Sequence, residues 1–482
     1  MNYNTLWYNN YGVVIINSFI NREQELEFLN KQYKTEFASM VVVYGRRRVG
    51  KTSLIHEFAT GKPFLYFLAS KESETQNMRI LKNQIAEYTG DILLKQVSVD
   101  SWDILFQTLI KYITEKRLIL ILDEFQYLGQ VNPAFPSIFQ RIWDLYLQNK
   151  NIMVILCGSL INMMESQVLN YNSPLYGRRT GQIKLRQIDF THYSKFMGDL
   201  SYKDLVEHYS VTGGVPKYIG MFNGQGELMD KIADQILNRQ SFLFEEPLFL
   251  LQNEVSEIGS YFSIIKSIAA GNHRLGKICT DLEVKQTSLP KYLKILIDLD
   301  IIEREVPVTE SNPEKSKMGL YRIKDNFINF WFKFVYPEKA RLELGNVSYV
   351  LQKLKTNFID NHVSFIYESV CMSEMWELNR KGLLNFNKLG RWWNNQEEID
   401  IIGLDAGGND IVFGECKYQE KLMDTDVFMS LLQKKEYVAW KKYERTERFI
   451  LFSVSGFTRQ LRDMAAERDD LILFELKKLC QF

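Results

Sequence analysis

Between residues 21 and 230, short runs of apolar, mostly β-branched or leucine residues alternate with longer stretches whose apolar positions recur every three or four residues. The short runs are "MVVVYG" (40–45), "FLYFLA" (64–69), "LILILDE" (118–124) and "IMVILCGS" (152–159). Runs this short and this continuously apolar predict strands buried on both faces, and the amphipathic stretches between them predict helices crossing over a parallel sheet. From 245 to 337 the helical period dominates and closes on a polar stretch, "VTESNPEKSKMG" (308–319), which predicts a hairpin or wing. Beyond 342 comes a long helical stretch, then strand patterns at "LLNFNKL" (383–389), "EIDIIGLD" (398–405) and "DIVFGECKY" (410–418). A helix, a strand at "RFILFSVSG" (448–456), another helix and a last strand at "LILFEL" (471–476) follow, and no internal repeat is present.

Length turns these regimes into domains. A chain of 482 residues exceeds one ordinary core, and the three patterns divide it at 1–235, 236–340 and 341–482. Lys+Arg and Asp+Glu both number 59, so the net charge is zero. That balance argues against a surface basic all round and leaves room for a local basic face. The longest apolar runs, such as "LILIL" at 118–122, are too short to cross a bilayer. The opening "MNYNTLWYNNYGVVIINSF" lacks the basic start and small-residue cleavage site of a signal peptide. Five scattered cysteines without a C-x-x-C pair predict reduced thiols and a cytoplasmic protein, and five dispersed histidines argue against a zinc site.

The first apolar run ends in "GRRRVGKTS", which fits G-x-x-x-x-G-K-[ST]. A glycine-bounded loop between a strand and a helix lets successive backbone N–H groups point inward at phosphate oxygens, and the helix start adds its positive dipole end. The predicted cup runs through Gly45, Arg46, Arg47, Arg48, Val49, Gly50, Lys51, Thr52 and Ser53. Lys51 would reach the β- and γ-phosphates, and Thr52 would hold Mg²⁺. At the end of "LILILDE", Asp123 suits the Mg²⁺ shell and Glu124 suits the base that orients an attacking water. Ser159, ending a third strand, is placed as a polar sensor. Arg178 and Arg179 in "YGRRTGQIKL" are candidates to reach the γ-phosphate, in cis or from a neighbour; a solvated arginine pair is the ordinary alternative.

"FINREQELEFL", "GRRRVGKTSLI", "LILILDEFQYL", "CGS", "YGRRTGQI" and "TGGVPKYI", in that order, resemble archaeal and bacterial P-loop ATPases of the AAA+/STAND lineage. The resemblance spans the first half of the chain. It implies that the segment holding Arg22 lies beside the adenine and that the turn at Gly214 to Pro216 closes over the base. It also implies an α/β fold: a parallel P-loop core, a helical winged-helix middle and an α/β restriction-endonuclease-like end.

In the middle region, residues 286–299 fit a recognition helix, and Lys285, Lys291, Lys294, Lys315 and Lys317 are candidate DNA contacts. Acids are nearly as frequent there, and winged helices also dock proteins, so DNA and a protein partner both stand as expectations. The aromatic run "NFINFWFKFVYP" (326–337) reads as core packing. Near the C-terminus, Asp400 lies on one strand and Glu415 and Lys417 share a face of the next, as alternation requires. Two converging carboxylates, with Glu368 as a further ligand, would form an oxygen-ligand set for Mg²⁺ or Mn²⁺, and the lysine would position or activate water or stabilise charge on a scissile phosphate. This D…E-x-K pattern resembles the PD-(D/E)xK nuclease core found fused to the same ATPase group. A strand with an exposed Glu/Lys face explains the pattern equally well, and Lys434, Lys435, Lys441 and Lys442 beyond it suit a nucleic-acid backbone or a solvated helical face.

These readings converge on an ATP-hydrolysing protein that couples nucleotide state to DNA binding or processing. The alternative is an ATP-driven switch with protein partners and an inactive nuclease-like end.

Overall fold

A computed structural model describes residues 19–113, 115–255, 257–475 and 478–479. The opening segment read for a signal peptide lies, but for Phe19, outside the described residues, as do Leu476 of the last predicted strand and Cys480. The chain forms two compact units: residues 1–187 with 215–217, and residues 188–214 with 218–482.

The first unit is built on five parallel strands, β1 (Ser39–Tyr44), β2 (Phe64–Leu68), β3 (Leu118–Asp123), β4 (Ile152–Gly158) and β5 (Gly181–Lys184), in the order β2-β3-β4-β1-β5. Every residue of β1, β3 and β4 is buried. That burial explains their unbroken apolar runs: helices cover both faces of the sheet, so neither face selects polar residues. Val41, Val43, Ile119, Ile121, Met153 and Ile155 pack with Leu54, Ile55 and Phe58 of the helix Lys51–Ala59. Because β4 lies between β1 and β3, the carboxyl ends of the phosphate-loop strand and the acidic strand flank Ser159. The fifth strand, "GQIK", was absent from the apolar pattern because it is short, half-buried and at the sheet edge. At the opposite pole, buried Arg117 donates to Thr35 O (2.6 Å), Phe37 O (2.8 Å) and Ser39 Oγ (2.8 Å), fixing the entry to β1.

In the second unit, helices Ile258–Ala269, Leu275–Asp281 and Pro290–Asp298 precede an antiparallel pair, β6 (Ile302–Glu305) and β7 (Leu320–Ile323). An isolated bridge joins Arg274 to Leu320. The polar stretch at 308–319 connects the pair, as its composition predicted. Phe327, Phe330, Trp331 and Phe332 are buried, and Trp331 donates its indole N–H to Phe244 O at 2.8 Å. The aromatic run is core.

Toward its C-terminal end this unit carries a helix, Ser364–Arg380, and a six-stranded sheet of order β13-β12-β11-β10-β9-β8, with helices Thr425–Lys434 and Arg459–Ala466 between its strands. Its strands are β8 (Lys388–Trp393), β9 (Glu398–Leu404), β10 (Asp410–Lys417), β11 (Thr446–Ser453), β12 (Leu471–Glu475) and β13 (Lys478–Leu479). β8, β9 and β10 form an antiparallel meander, while β10, β11 and β12 are parallel. The strand predicted at 383–389 begins only at Lys388. Leu384 and Phe386 alternate because they pack inward ahead of the ladder, not because they pair within it. Among the described residues no helix is long and apolar enough to cross a membrane.

Candidate active site

The loop after β1 is held by backbone geometry that sequence chemistry permits only at certain positions. A Cβ on Gly45 would lie 2.3 Å from Leu185 O, so only glycine lets β1 and the residues after β5 run this close. Gly50, at φ 95°, precedes the helix Lys51–Ala59, whose start has no side-chain cap. A helix start turned toward a loop offers N–H groups and the positive dipole end to an anion. Arg48 takes φ 70°, a left-handed conformation uncommon outside glycine, and such strain concentrates at functional loops.

Side chains then converge on this loop. Buried Lys51 spans it, donating to Gly45 O and Arg46 O, each at 2.8 Å. Thr52 donates to Asp123 Oδ2 at 3.2 Å, joining the loop to the end of β3. The Glu124 N–H donates to Asp123 Oδ1 at 2.9 Å, and Glu124 itself sits at φ 52°. Its carboxylate accepts from Ser159 Oγ at 2.6 and 2.8 Å and from Gln126 Nε2. Thus Lys51, Thr52, Asp123, Glu124 and Ser159, spread over 109 positions of sequence from 51 to 159, form one connected constellation.

Other expected contacts vary. The buried Arg22 guanidinium donates to Val49 O at 3.3 Å and Arg186 O at 2.6 Å, placing it against the loop. Pro216 Cγ lies 3.9 Å from where a Cβ on Gly50 would stand, so it too borders the loop. Arg46 is buried, Arg47 donates to Tyr127 Oη at 2.7 Å, and Ser53 is exposed. Arg178 is occupied by Asp144 in a two-pronged pair (2.9 and 3.2 Å). Arg179 donates to Leu169 O at 3.0 Å and lies over the Tyr176 ring. Arg178 is thus engaged by a residue ahead of β4, and Arg179 within the β4–β5 connection.

Sequence reasoning missed Tyr66. From β2 its hydroxyl donates to Asp123 Oδ2 at 2.6 Å, and burial with the Asp123 charge pushes its pKa far above the ordinary tyrosine value. It is a permanent donor that fixes the carboxylate. "FLYFLA" reads simply as a strand, and the only clue was a polar tip inside an apolar run.

The C-terminal set is also partly assembled. Asp400 on β9 accepts from the Cys416 N–H at 2.9 Å, and burial, then Glu415 and Glu368, push its pKa up to about 7. Glu415 is ion-paired to Lys417 at 2.9 Å and to Lys434 at 3.2 Å. Glu368 pairs instead with Arg391 at 2.7 Å. Among the described residues no three Asp, Glu, His or Cys side chains group as metal ligands. The lysines expected to track a backbone hold internal partners: Lys434 holds Glu415, Lys435 holds Glu447, Lys441 holds Gly408 O and Asn409, and Lys442 holds Glu436 at 3.1 Å. Lys285, Lys291, Lys294, Lys315 and Lys317 are exposed.

Residues 19–222 match a family profile described as an ATPase domain predominantly from Archaea, and residues 331–436 match one described as archaeal and bacterial proteins of unknown function. The uncharacterized protein MJECL04 of Methanocaldococcus jannaschii is 35% identical over 464 residues, covering 95% of this chain and 99% of that one. The chain belongs to this family of archaeal P-loop ATPases. Membership makes the protein an ATP-binding, ATP-hydrolysing one. A shorter relative from the same organism, the uncharacterized ATP-binding protein MJ0423, is 48% identical over 52 residues, 11% of this ATPase and 83% of the relative. The Walker-type ATPase PABY2304 of Pyrococcus abyssi superposes with a TM-score of 0.50 at 20% identity, covering 66% of this chain and 97% of that chain. That likeness extends to the fold of the P-loop ATPase.

Proposed function

We propose that ATP is hydrolysed at the constellation around Lys51 and that its turnover is coupled to DNA binding or processing by the second unit. The observation that carries the catalytic part is the Thr52–Asp123 contact, which ties the phosphate loop to the acidic strand. The two side chains present hard oxygen donors, a set suited to Mg²⁺. Bound there, Mg²⁺ would neutralise charge on the β- and γ-phosphate oxygens. Lys51 stabilises the same charge, Glu124 orients the water that attacks the γ-phosphate, and Ser159 with Gln126 holds the Glu124 carboxylate. Arg22 and Pro216 border the nucleotide on either side of the loop. Arg178 and Arg179 serve the γ-phosphate only by exchanging their present partners. Lys51→Ala should cut ATP turnover by at least about 100-fold. Glu124→Gln should do the same while nucleotide still binds. Wild-type turnover in either variant refutes the assignment.

For the second unit, three helices followed by the β6–β7 pair support a winged helix over 258–323, with the exposed lysines on its surface available to DNA. The order helix, antiparallel meander, helix, parallel strand supports a PD-(D/E)xK-like fold over 364–475. Asp400, Glu415 and Lys417 lie together at its centre and suit Mg²⁺ or Mn²⁺ chemistry on a phosphodiester. The inactive-domain reading draws on the ion pairs that occupy Glu415 and Glu368. Incubating the protein with DNA, ATP and Mn²⁺ separates the two. Cleavage lost in Glu415→Ala supports the phosphodiesterase, and DNA left intact by both proteins removes it.

A further inference from the structure

The second unit contains a cavity of about 490 Å³ that no step above uses. Its walls come from β6 and β7, the helix Ile258–Ala269, and the helices Val347–Phe358 and Ser364–Arg380. Phe334, Leu354 and Phe365 give the lining an apolar part. It also carries the cations Arg322, Lys333, Lys353 and Arg391, two carboxylates, Glu303 and Glu338, and His273, which burial and Arg322 hold toward the neutral form.

Pairing sorts these charges. Arg391 lies between Glu305 (2.6 Å) and Glu368 (2.7 Å), and Lys353 is held by Glu338 at 2.5 Å. Arg322 stands 2.9 Å from Glu305, which it shares with Arg391. Lys333 differs: its ammonium donates to Asn361 O at 2.9 Å and lies over the Phe365 ring, and among the described residues no carboxylate is within ion-pair reach of it. Burial and the neighbouring Arg322 push the Lys333 pKa down to about 8, while burial and Glu305 push the Glu303 carboxyl up. The cavity therefore joins an ammonium with no ion-pair partner among the described residues, and a guanidinium that shares Glu305 with Arg391, to aromatic and aliphatic side chains. A half-buried ammonium without an ion-pair partner is stabilised when an anion joins it.

We propose that this cavity is a binding site for a small organic anion, its oxyanion head on Lys333 and Arg322 and its apolar body against Phe334, Leu354 and Phe365. The volume is that of a small-molecule site. The site is distinct from the phosphate loop, and the inference does not depend on how ATP is hydrolysed.

Calorimetric titration of the full chain with phenyl phosphate and with benzoate, against inorganic phosphate and phenol, tests it. Phenyl phosphate or benzoate should bind at least tenfold tighter than either fragment, and Lys333→Met should weaken that binding by at least tenfold. Ala270→Trp, which adds bulk at an exposed position of the lining and removes no charge, should do likewise and decides the matter if Lys333→Met does not fold. Lys51→Ala should bind these probes as the wild type does. No binding at millimolar probe, binding as tight as the wild type's in both cavity variants, or loss of binding in Lys51→Ala would each overturn the proposal; the last would place the probe on the phosphate loop.

Discussion

Single atoms decide how the acidic end of β3 is set. Asp123 accepts from Thr52, Tyr66 and the Glu124 amide, so both its oxygens are oriented before any ligand arrives. Hydrogen bonds to a charged acceptor contribute about 1.5–3 kcal/mol each, enough for roughly a tenfold change in rate when one is removed. Tyr66→Phe should therefore retain the fold and lower ATP turnover by about tenfold, with the loss partly recovered at high Mg²⁺. A variant with wild-type Mg²⁺ dependence and rate would show that the phenol merely fills space. Thr52→Ala, which removes an oxygen donor as well as a hydrogen bond, should cost more in the same assay.

Elements are joined by a few buried polar ties, and one of them titrates. His362, fully buried, donates Nε2–H to Ser210 O at 2.7 Å, fastening the turn before the helix Ser364–Arg380 to the helix Tyr202–Thr212. Burial, and then the Lys333 charge, lower its pKa from 6.5 to about 3. The native ring stays neutral while the unfolded ring takes up a proton below pH 6.5, so the tie's contribution is complete above that pH and is lost as pH falls toward 3. Between pH 7 and pH 5 this single group should remove about 2 kcal/mol of stability. Denaturant melts of the second unit's transition should show that slope, and His362→Gln should flatten it. Equal slopes in both proteins would assign acid sensitivity to other groups.

At the scale of the molecule, the two sites belong to different compact units, with Lys51 to Ser159 in one and Asp400 to Lys434 in the other. Separate cores make separate chemistries separable by mutation. Glu415→Ala, which breaks two ion pairs in the second unit, should leave basal ATP turnover within about twofold of wild type. A large loss would mean that the second unit sustains the ATPase site even without a bound partner.

Much of this was legible along the chain. Four of the five strands of the first sheet announced themselves as unbroken apolar runs, because a strand covered on both faces has no place for polar residues. The glycine-bounded loop after β1 and the acids Asp123 and Glu124 after the third apolar run stood out as local patterns, because each is a short fixed spacing of particular residues. What stayed hidden depended on neighbours distant in sequence. Tyr66 became part of the site only because β2 pairs with β3; Lys434 turned inward to Glu415; and Arg178 and Arg179 were taken by partners more than ten residues away or by the chain's own carbonyls. The strand at 181–184 also needed β1 beside it to exist. Local pattern specifies backbone type and local ligands, whereas the partner of each buried charge is chosen by packing, which brings side chains together without regard to their order in the chain.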